Sequence, residues 1–252
     1  VSLGSGVVAL AVAREILAFF QRRRCPIQID GNDHGDWPIG GVILGASGSV
    51  ATVKVPEIVS KLISHGLRVD LVLTKSADFF LGVRYKKDNA MASLKALQAV
   101  KTKSGCRMLR IWRDVDEWKD YSNVGDSVVH IDLVKQNKVL VVAPLSANTL
   151  ASASLGLASN LLTSVIRAWY YDLDSSLESK GIWKSKPFIV APSMNTYMWY
   201  QNVTKQHLKV LESRGVTVIE PVTKILACKD YGKGAMSSPD AIVDAVLKAI
   251  SG

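Results

Sequence analysis

The sequence predicts an α/β fold in which a doubly wound parallel sheet lies between two layers of helices. From residue 41 onward, short apolar runs alternate with longer segments whose apolar positions recur at helical spacing. This alternation is typical of parallel strands buried on both faces, and right-handed crossovers place helices on both sides of such a sheet. Hydroxyl-rich turns follow several apolar runs, where open α/β sheets bind ligands. These observations indicate a three-layer, flavodoxin-like or Rossmann-like single domain.

The order of the elements follows from the same alternation. The predicted strands are 41–46, 69–74, 107–112, 139–143, 188–191 and 216–219. The predicted helices are 50–65, 90–101, 127–137, 148–169, 200–214 and 239–250. Two polar segments, 82–106 and 170–186, look inserted into this order, and we expect them at the surface as a lid or a partner contact.

Residues 1–39 precede the alternation and form a predicted helix-and-loop extension to a main domain of residues 40–252. Apolar side chains such as Val12 and Ile16 recur at helical spacing, so a helix is predicted over 7–24. Glycines and prolines in 25–39 then predict a loop.

Composition and charge narrow the function classes. The chain of 252 residues has a net charge of +9, from 31 Lys and Arg against 22 Asp and Glu. No basic run is interleaved with aromatic residues, so we expect no nucleic-acid partner, and a phosphorylated small molecule fits the positive balance. Three cysteines without close spacing argue against a disulfide framework and a metal site, and favour a reducing, cytoplasmic location. No apolar run reaches the roughly 18–20 residues that a membrane span needs, so no membrane partner is expected.

Small and hydroxylated residues follow three of the predicted strands. A tight turn or a set of independent helix caps would explain each turn alone, but the three together favour a phosphate site for a mononucleotide. The candidate cofactor-binding residues are Gly48, Ser49, Val50, Thr74, Ser76, Ser146, Ala147, Asn148 and Thr149.

Four further residues are candidates for catalysis and substrate binding. His130 suits proton transfer if it reaches the cleft, although a lone histidine is more often structural. Asn195 follows a strand and is either a helix cap or an amide donor to a substrate carboxylate, and Met198 packs nearby, against the core or a ligand. Cys228 has Lys229 beside it, and a cation depresses a thiol pKa, but a small buried cysteine is the alternative. The glycines at 232 and 234 indicate a flexible substrate flap.

Taken together, these stretches resemble the phosphopantothenoylcysteine decarboxylases, a family of homo-oligomeric flavin-containing cysteine decarboxylases. The resemblance runs from about residue 41 to residue 242, and its matches occur in the family's order. Its markers are Gly-Ser-Val-Ala at 48–51, Thr-x-Ser-Ala at 74–77, His130, Ala-Pro-Leu-Ser-Ala-Asn-Thr-Leu at 143–150, Pro-x-Met-Asn-x-x-Met-Trp at 192–199, and Cys228.

The resemblance implies that FMN binds across a subunit interface of a homotrimer and that residues 40–252 are a flavoprotein decarboxylase domain. It places the FMN phosphate near Ser49 and Ser76, with the turn 146–149 beside the flavin. It makes His130 the base of the oxidative step, gives the substrate carboxylate to Asn195, and makes Cys228 the late proton donor. The implied reaction converts 4'-phosphopantothenoylcysteine to 4'-phosphopantetheine in coenzyme A biosynthesis, through a transient thioaldehyde and an enethiolate.

Departures from the family pattern keep other functions open. Lys229 stands where the family has glycine, and Ser159 replaces an aspartate. The resemblance therefore also allows a regulatory subunit that binds and inhibits a protein phosphatase, alone or with a paralogous subunit that shares catalysis. A third alternative is another reaction of the same superfamily, such as peptidyl-cysteine oxidative decarboxylation, although that reaction has no need of Cys228.

Overall fold

The computed structural model describes residues 41–83, 89–102, 105–172, 176, 184–225 and 231–251. Several predictions fall wholly or largely outside these residues: the helix-and-loop extension 1–39, the surface segment 170–186, and the positions of Cys228 and Lys229.

Six parallel strands form the central sheet, in the order β3-β2-β1-β4-β5-β6. They are β1 Gly41–Ala46, β2 Val69–Leu73, β3 Leu109–Arg113, β4 Asn137–Leu145, β5 Phe188–Pro192 and β6 Thr217–Val218. The direction of winding reverses between β1 and β4, and an open sheet of this kind leaves a crevice at the carboxyl ends of those two strands. A separate antiparallel hairpin pairs β7 Val222–Ile225 with β8 Tyr231–Ala235.

Helices cover both faces of the sheet, as the sequence predicts. The 3-10 turns are η1 Val50–Lys54 and η2 Asp114–Asp116, and the helices are α1 Val55–Ser64, α2 Lys75–Gly82, α3 Ala90–Gln98, α4 Val129–Gln136, α5 Ala147–Leu155, α6 Leu161–Ala168, α7 Thr196–Tyr200, α8 Asn202–Ser213 and α9 Pro239–Ser251. Along β1, Val42 and Leu44 face the core beneath α1 and α9, whereas Ile43 faces the core beneath α4 and α6. Alternate side chains of one strand thus enter two cores, which confirms the three-layer prediction.

Several predicted boundaries were wrong for local reasons. The single helix predicted over 148–169 is two helices, because Gly156 ends α5 in the left-handed region, at φ 73°, and Asn160 caps α6. The segment predicted as one helix over 50–65 begins as η1 and continues as α1, with Pro56 in its first turn. The sequence analysis did not predict α2 or the hairpin.

A buried carboxylate ties three strands together. Asp70 in β2 is fully buried and accepts hydrogen bonds from Arg110 Nε at 2.7 Å, Trp112 Nε1 at 2.8 Å and Asn137 Nδ2 at 2.9 Å. A buried charge is costly unless it is paired and hydrogen-bonded, and these donors from β3 and β4 meet that requirement. The network fixes the amino ends of the strands whose carboxyl ends carry the cleft.

No described helix has the length and apolar character needed to cross a membrane.

Candidate functional site

A cavity of about 720 Å³ opens at the carboxyl ends of the central strands. Its walls come from the turns after β1, β2, β4 and β5 and from the hairpin β7–β8. The predicted residues that line it are Gly48, Ser49, Val50, Thr74, Ser76, Ser146, Ala147, Asn148, Thr149, Asn195 and Met198. The volume is typical of a cofactor or small-molecule site.

The turn after β1 packs directly on the start of α2. A Cβ built on Gly48 would lie 2.5 Å from the Cβ of Ser76, so a side chain at position 48 requires one of the two turns to move. Ser49 Oγ accepts from the backbone N–H of Ala51 at 3.3 Å and lies 2.9 Å from Ser193 Oγ. This close approach leaves small polar groups and backbone N–H groups at the wall, which suits a phosphate.

Two hydroxyls of the cleft are also helix caps. Thr74 Oγ1 accepts from the N–H of Ala77 at 3.2 Å at the start of α2, and Ser146 Oγ accepts from the N–H of Thr149 at 3.3 Å at the start of α5. Both residues therefore are helix caps, which was the alternative explanation to a phosphate site. Helix capping is compatible with a phosphate site, because the N-terminal ends of α2 and α5 direct backbone N–H groups and the positive ends of the helix dipoles toward the cavity.

Asn195 caps α7 by accepting from the N–H of Tyr197 at 2.8 Å. The hairpin fixes the same segment from the other side, since the N–H of Met194 donates to the Gly234 carbonyl at 2.9 Å. A Cβ on Gly234, whose φ is 140°, would lie 2.4 Å from the Met194 carbonyl oxygen. A Cβ on Gly232 would likewise lie 2.5 Å from Thr196 Oγ1, so both hairpin glycines permit a close contact with the Asn195 segment. The flexible flap stays a prediction.

Two lysines of this site were not predicted as cavity residues, although Lys224 was expected near Cys228. Lys54 and Lys224 both line the cavity. The pKa of the Lys54 ammonium is lowered, mainly by burial and to a smaller extent by the nearby charge of Lys224. Two cations held together at one cavity favour an anion between them. The sequence could not reveal the pair, because 170 residues separate its members.

His130 lies in the first turn of α4 and is not part of the cavity wall formed by its own chain. Its Nδ1 lies 2.5 Å from Oε1 of Glu117, a residue that the sequence analysis did not consider. The side chain of His130 is 22% exposed. Within one chain, therefore, the structure brings Asn195 and the hydroxyl-rich turns together but does not bring His130 to them.

Among the described residues, no group of three or more His, Cys, Asp or Glu side chains is arranged to hold a metal ion.

The fold and cleft define a class of protein, the α/β proteins that bind a nucleotide at the sheet switch point, and comparison with known proteins is consistent with it. The model of the flavoprotein family matches residues 35–251. This chain therefore belongs to the flavoprotein family.

Individual relatives are similar over most of their length. Phosphopantothenoylcysteine decarboxylase from Oryza sativa subsp. japonica is 38% identical over 207 residues, which are 82% of this chain and 79% of that protein. A solved structure of a cysteine-to-serine mutant of PPC decarboxylase, complexed with pantothenoylaminoethenethiol, superposes with a TM-score of 0.68 at 36% identity and covers 85% of this chain and 100% of that one. The FMN binding protein AtHal3 superposes with a TM-score of 0.63 at 37% identity, covering 83% of this chain and 95% of that one.

Proposed function

We propose that this chain is an FMN-dependent carboxy-lyase that converts 4'-phosphopantothenoylcysteine to 4'-phosphopantetheine in coenzyme A biosynthesis. The observation that carries this proposal is the meeting of three hydroxyl-rich turns, an amide and two lysines around a single cavity of about 720 Å³. The names of the similar proteins support the choice of reaction and cofactor.

The turns after β1 and β2 are suited to hold the FMN phosphate. Ser49 and Ser76 offer hydroxyls beside the close approach at Gly48, and the turn 146–149 would lie beside the flavin ring. A bound flavin supplies a reversible two-electron acceptor, which this reaction needs because a cysteinyl carboxylate has no electron sink of its own.

The other wall of the cavity is suited to the substrate. The amide of Asn195 would donate to the substrate carboxylate and hold it until CO2 leaves, while Met198 contacts the chain of the substrate. Lys54 and Lys224 would attract the substrate phosphate, because the cavity brings their two positive charges together.

Proton transfers complete the sequence of steps. His130 would accept the thiol proton as the thioaldehyde forms, and loss of CO2 then leaves an enethiolate. Cys228, outside the described residues, would donate a proton to the enethiolate carbon, and the two electrons that the flavin took up in the first step would then reduce the product to the thiol. Without such an acid the reaction would stop at the enethiol.

We further propose that the working form is a cytoplasmic homotrimer whose sites lie between subunits. The separation of His130 from its own cavity supports this, since a neighbouring subunit would supply the missing base. The surface near Glu117 is also apolar: Val115 is 77% exposed and Trp118 60% exposed.

The regulatory alternative, binding and inhibition of a protein phosphatase with or without a paralogous subunit, rests on residues 1–39, the segment 170–186 and Lys229. These positions lie wholly or largely outside the described residues. That alternative stays a prediction.

Replacement Asn195→Asp tests the proposed substrate contact. Aspartate keeps the helix cap, because its carboxylate still accepts from the N–H of Tyr197, but it places a negative charge against the substrate carboxylate. We expect kcat/KM to fall at least about 100-fold, because the variant loses a hydrogen bond to the substrate carboxylate and adds repulsion between two carboxylates. FMN affinity and the midpoint of thermal unfolding should stay unchanged.

The matched control is Asn202→Asp, an exposed position outside the cavity at the start of α8. Equal kinetics in Asn195→Asp and the wild-type chain would remove Asn195 from the substrate site.

A further inference from the structure

One buried carboxylate outside the cavity has no role in the steps above. Glu117 follows η2, and the residue is only 6% exposed. Its Oε1 lies 2.5 Å from His130 Nδ1, and its second oxygen, Oε2, is buried without a hydrogen-bond partner in the part of the chain that the structure describes. Burial of a carboxylate that has a single hydrogen-bond partner costs free energy, so a function for the contact with that partner would explain why the arrangement is present.

The segment that carries Glu117 is held rigidly. The N–H of Arg113 donates to Asp116 Oδ2 at 2.8 Å, and the Arg113 guanidinium binds Asp78 at 3.0 Å. Asp114 Oδ1 accepts from the N–H of Leu161 at 3.0 Å, which attaches η2 to the start of α6. These bonds hold the backbone that leads into Glu117, and burial of the residue limits the positions open to its carboxylate. The carboxylate is therefore suited to define where the imidazole lies.

An ionised carboxylate only accepts hydrogen bonds. Its partner Nδ1 must therefore carry the proton, and the neutral imidazole is then left with an unprotonated Nε2 as its acceptor. A histidine whose Nδ1 is engaged in this way presents a base at Nε2 alone, in a fixed ring orientation.

We propose that Glu117 is a positioning residue that keeps His130 in the tautomer with the proton on Nδ1, so that Nε2 is the atom that accepts the substrate proton. The inference rests on the proposed function only in giving His130 the role of base. The tautomer itself is a property of this chain and does not depend on the reaction.

Nuclear magnetic resonance of the FMN-loaded protein, labelled with 15N in its four histidines, measures the tautomer directly. A His130→Gln sample assigns the His130 signals. We expect a protonated, pyrrole-type Nδ1 and a pyridine-type Nε2 in the wild-type chain. In Glu117→Gln the amide also offers an N–H donor to Nδ1, so the opposite tautomer becomes populated. A wild-type signal with the proton on Nε2 would overturn the inference.

Kinetics supply the second measurement. Glu117→Gln should lower kcat at least about 100-fold, with KM, FMN affinity and thermal midpoint near wild-type values, because the ring stays in place in the wrong tautomer. Glu117→Asp keeps a carboxylate and should recover part of kcat. If the glutamine variant does not fold, the aspartate variant provides the kinetic test in its place. Glu212→Gln, at an exposed position on α8, is the control.

Two results distinguish the inference from the proposed function. Wild-type kcat in Glu117→Gln would overturn the positioning role. A wild-type protein that has the expected tautomer but does not decarboxylate the substrate would contradict the proposed function and leave the Glu117–His130 pair standing.

Discussion

At the scale of single residues, several side chains that cap helices also face the cleft. Thr74, Ser146 and Asn195 each cap a helix, and each lines the cavity. Caps at the carboxyl ends of strands place polar oxygens and helix N-termini at one edge of the sheet. The sequence motif alone left cap and ligand contact as alternatives, whereas the structure makes them compatible.

Lysines 54 and 224 should determine the preference for a phosphorylated substrate. We expect Lys54→Gln and Lys224→Gln each to lower kcat/KM for 4'-phosphopantothenoylcysteine about 10- to 100-fold, because a hydrogen bond to a charged group contributes roughly 1.5–3 kcal/mol. The rate with the dephosphorylated analogue should change little. Steady-state assays with both substrates measure the ratio.

The control for this pair is Lys138→Gln, at an exposed position in β4 remote from the cavity wall. A lowered affinity for FMN with an unchanged substrate ratio would mean instead that the lysines bind the cofactor phosphate.

At the scale of elements, strands were predicted better than helix ends. The boundaries of β1 are as predicted because every residue of Gly41–Ala46 is buried, and an unbroken apolar run records this directly. The break between α5 and α6 escaped prediction because the apolar period continues across Gly156 and Asn160. The hairpin escaped because all four residues of β7 are exposed and carry no burial pattern.

The contact between Glu117 and His130 could not be predicted from the sequence, for a different reason. The two residues are 13 positions apart, across a segment without periodicity, and the fold brings the first turn of α4 beside the residue that follows η2. Residue type and family motif made His130 a candidate base, a role that stays a prediction. The sequence offered no local signal for the carboxylate that orients this histidine.

Lys186 helps to hold the carboxyl end of helix α4, which carries His130, beside the Asn137 amide that donates to the Leu133 carbonyl at 2.9 Å. Lys186 Nζ donates to the Val134 carbonyl at 2.7 Å and the Asn137 carbonyl at 3.0 Å, and lies 5.0 Å from the ring centroid of Trp169. Burial lowers the pKa of this ammonium, and the two carbonyls offset its lost hydration.

Lys186→Ala should therefore lower the free energy of unfolding by about 1–3 kcal/mol, since two buried carbonyls lose a charged donor. Urea unfolding measures the change. The neighbouring exposed Lys184→Ala should stay within about 0.5 kcal/mol of wild type. Equal stabilities of the two variants would show that Lys186 does not hold the end of α4.

At the scale of the whole molecule, the proposed site needs residues from more than one chain. Asn195 lines a cavity that His130 of the same chain does not reach. If a neighbour supplies the histidine, a subunit without His130 and a subunit without Asn195 can together form a complete site. If the contacts in the ring are head-to-tail and the two chains assemble randomly in equal amounts, about a quarter of the interfaces combine an intact His130 with an intact Asn195.

Co-expression of His130→Gln and Asn195→Asp chains should therefore recover about a quarter of wild-type kcat per site, although each variant alone is nearly inactive. Separately assembled variants that are mixed without subunit exchange provide the control. Activity no greater than that of the separate variants would place His130 and Asn195 of one chain in the same site and exclude the shared one.

The most direct measurement is mass spectrometry of the purified chain incubated with FMN and 4'-phosphopantothenoylcysteine. We expect a product lighter than the substrate by one CO2, which is 4'-phosphopantetheine. A product lighter by a further two hydrogens would show that decarboxylation stops at the enethiol and would contradict a complete cycle. Unchanged substrate in the presence of bound FMN would contradict the decarboxylase itself.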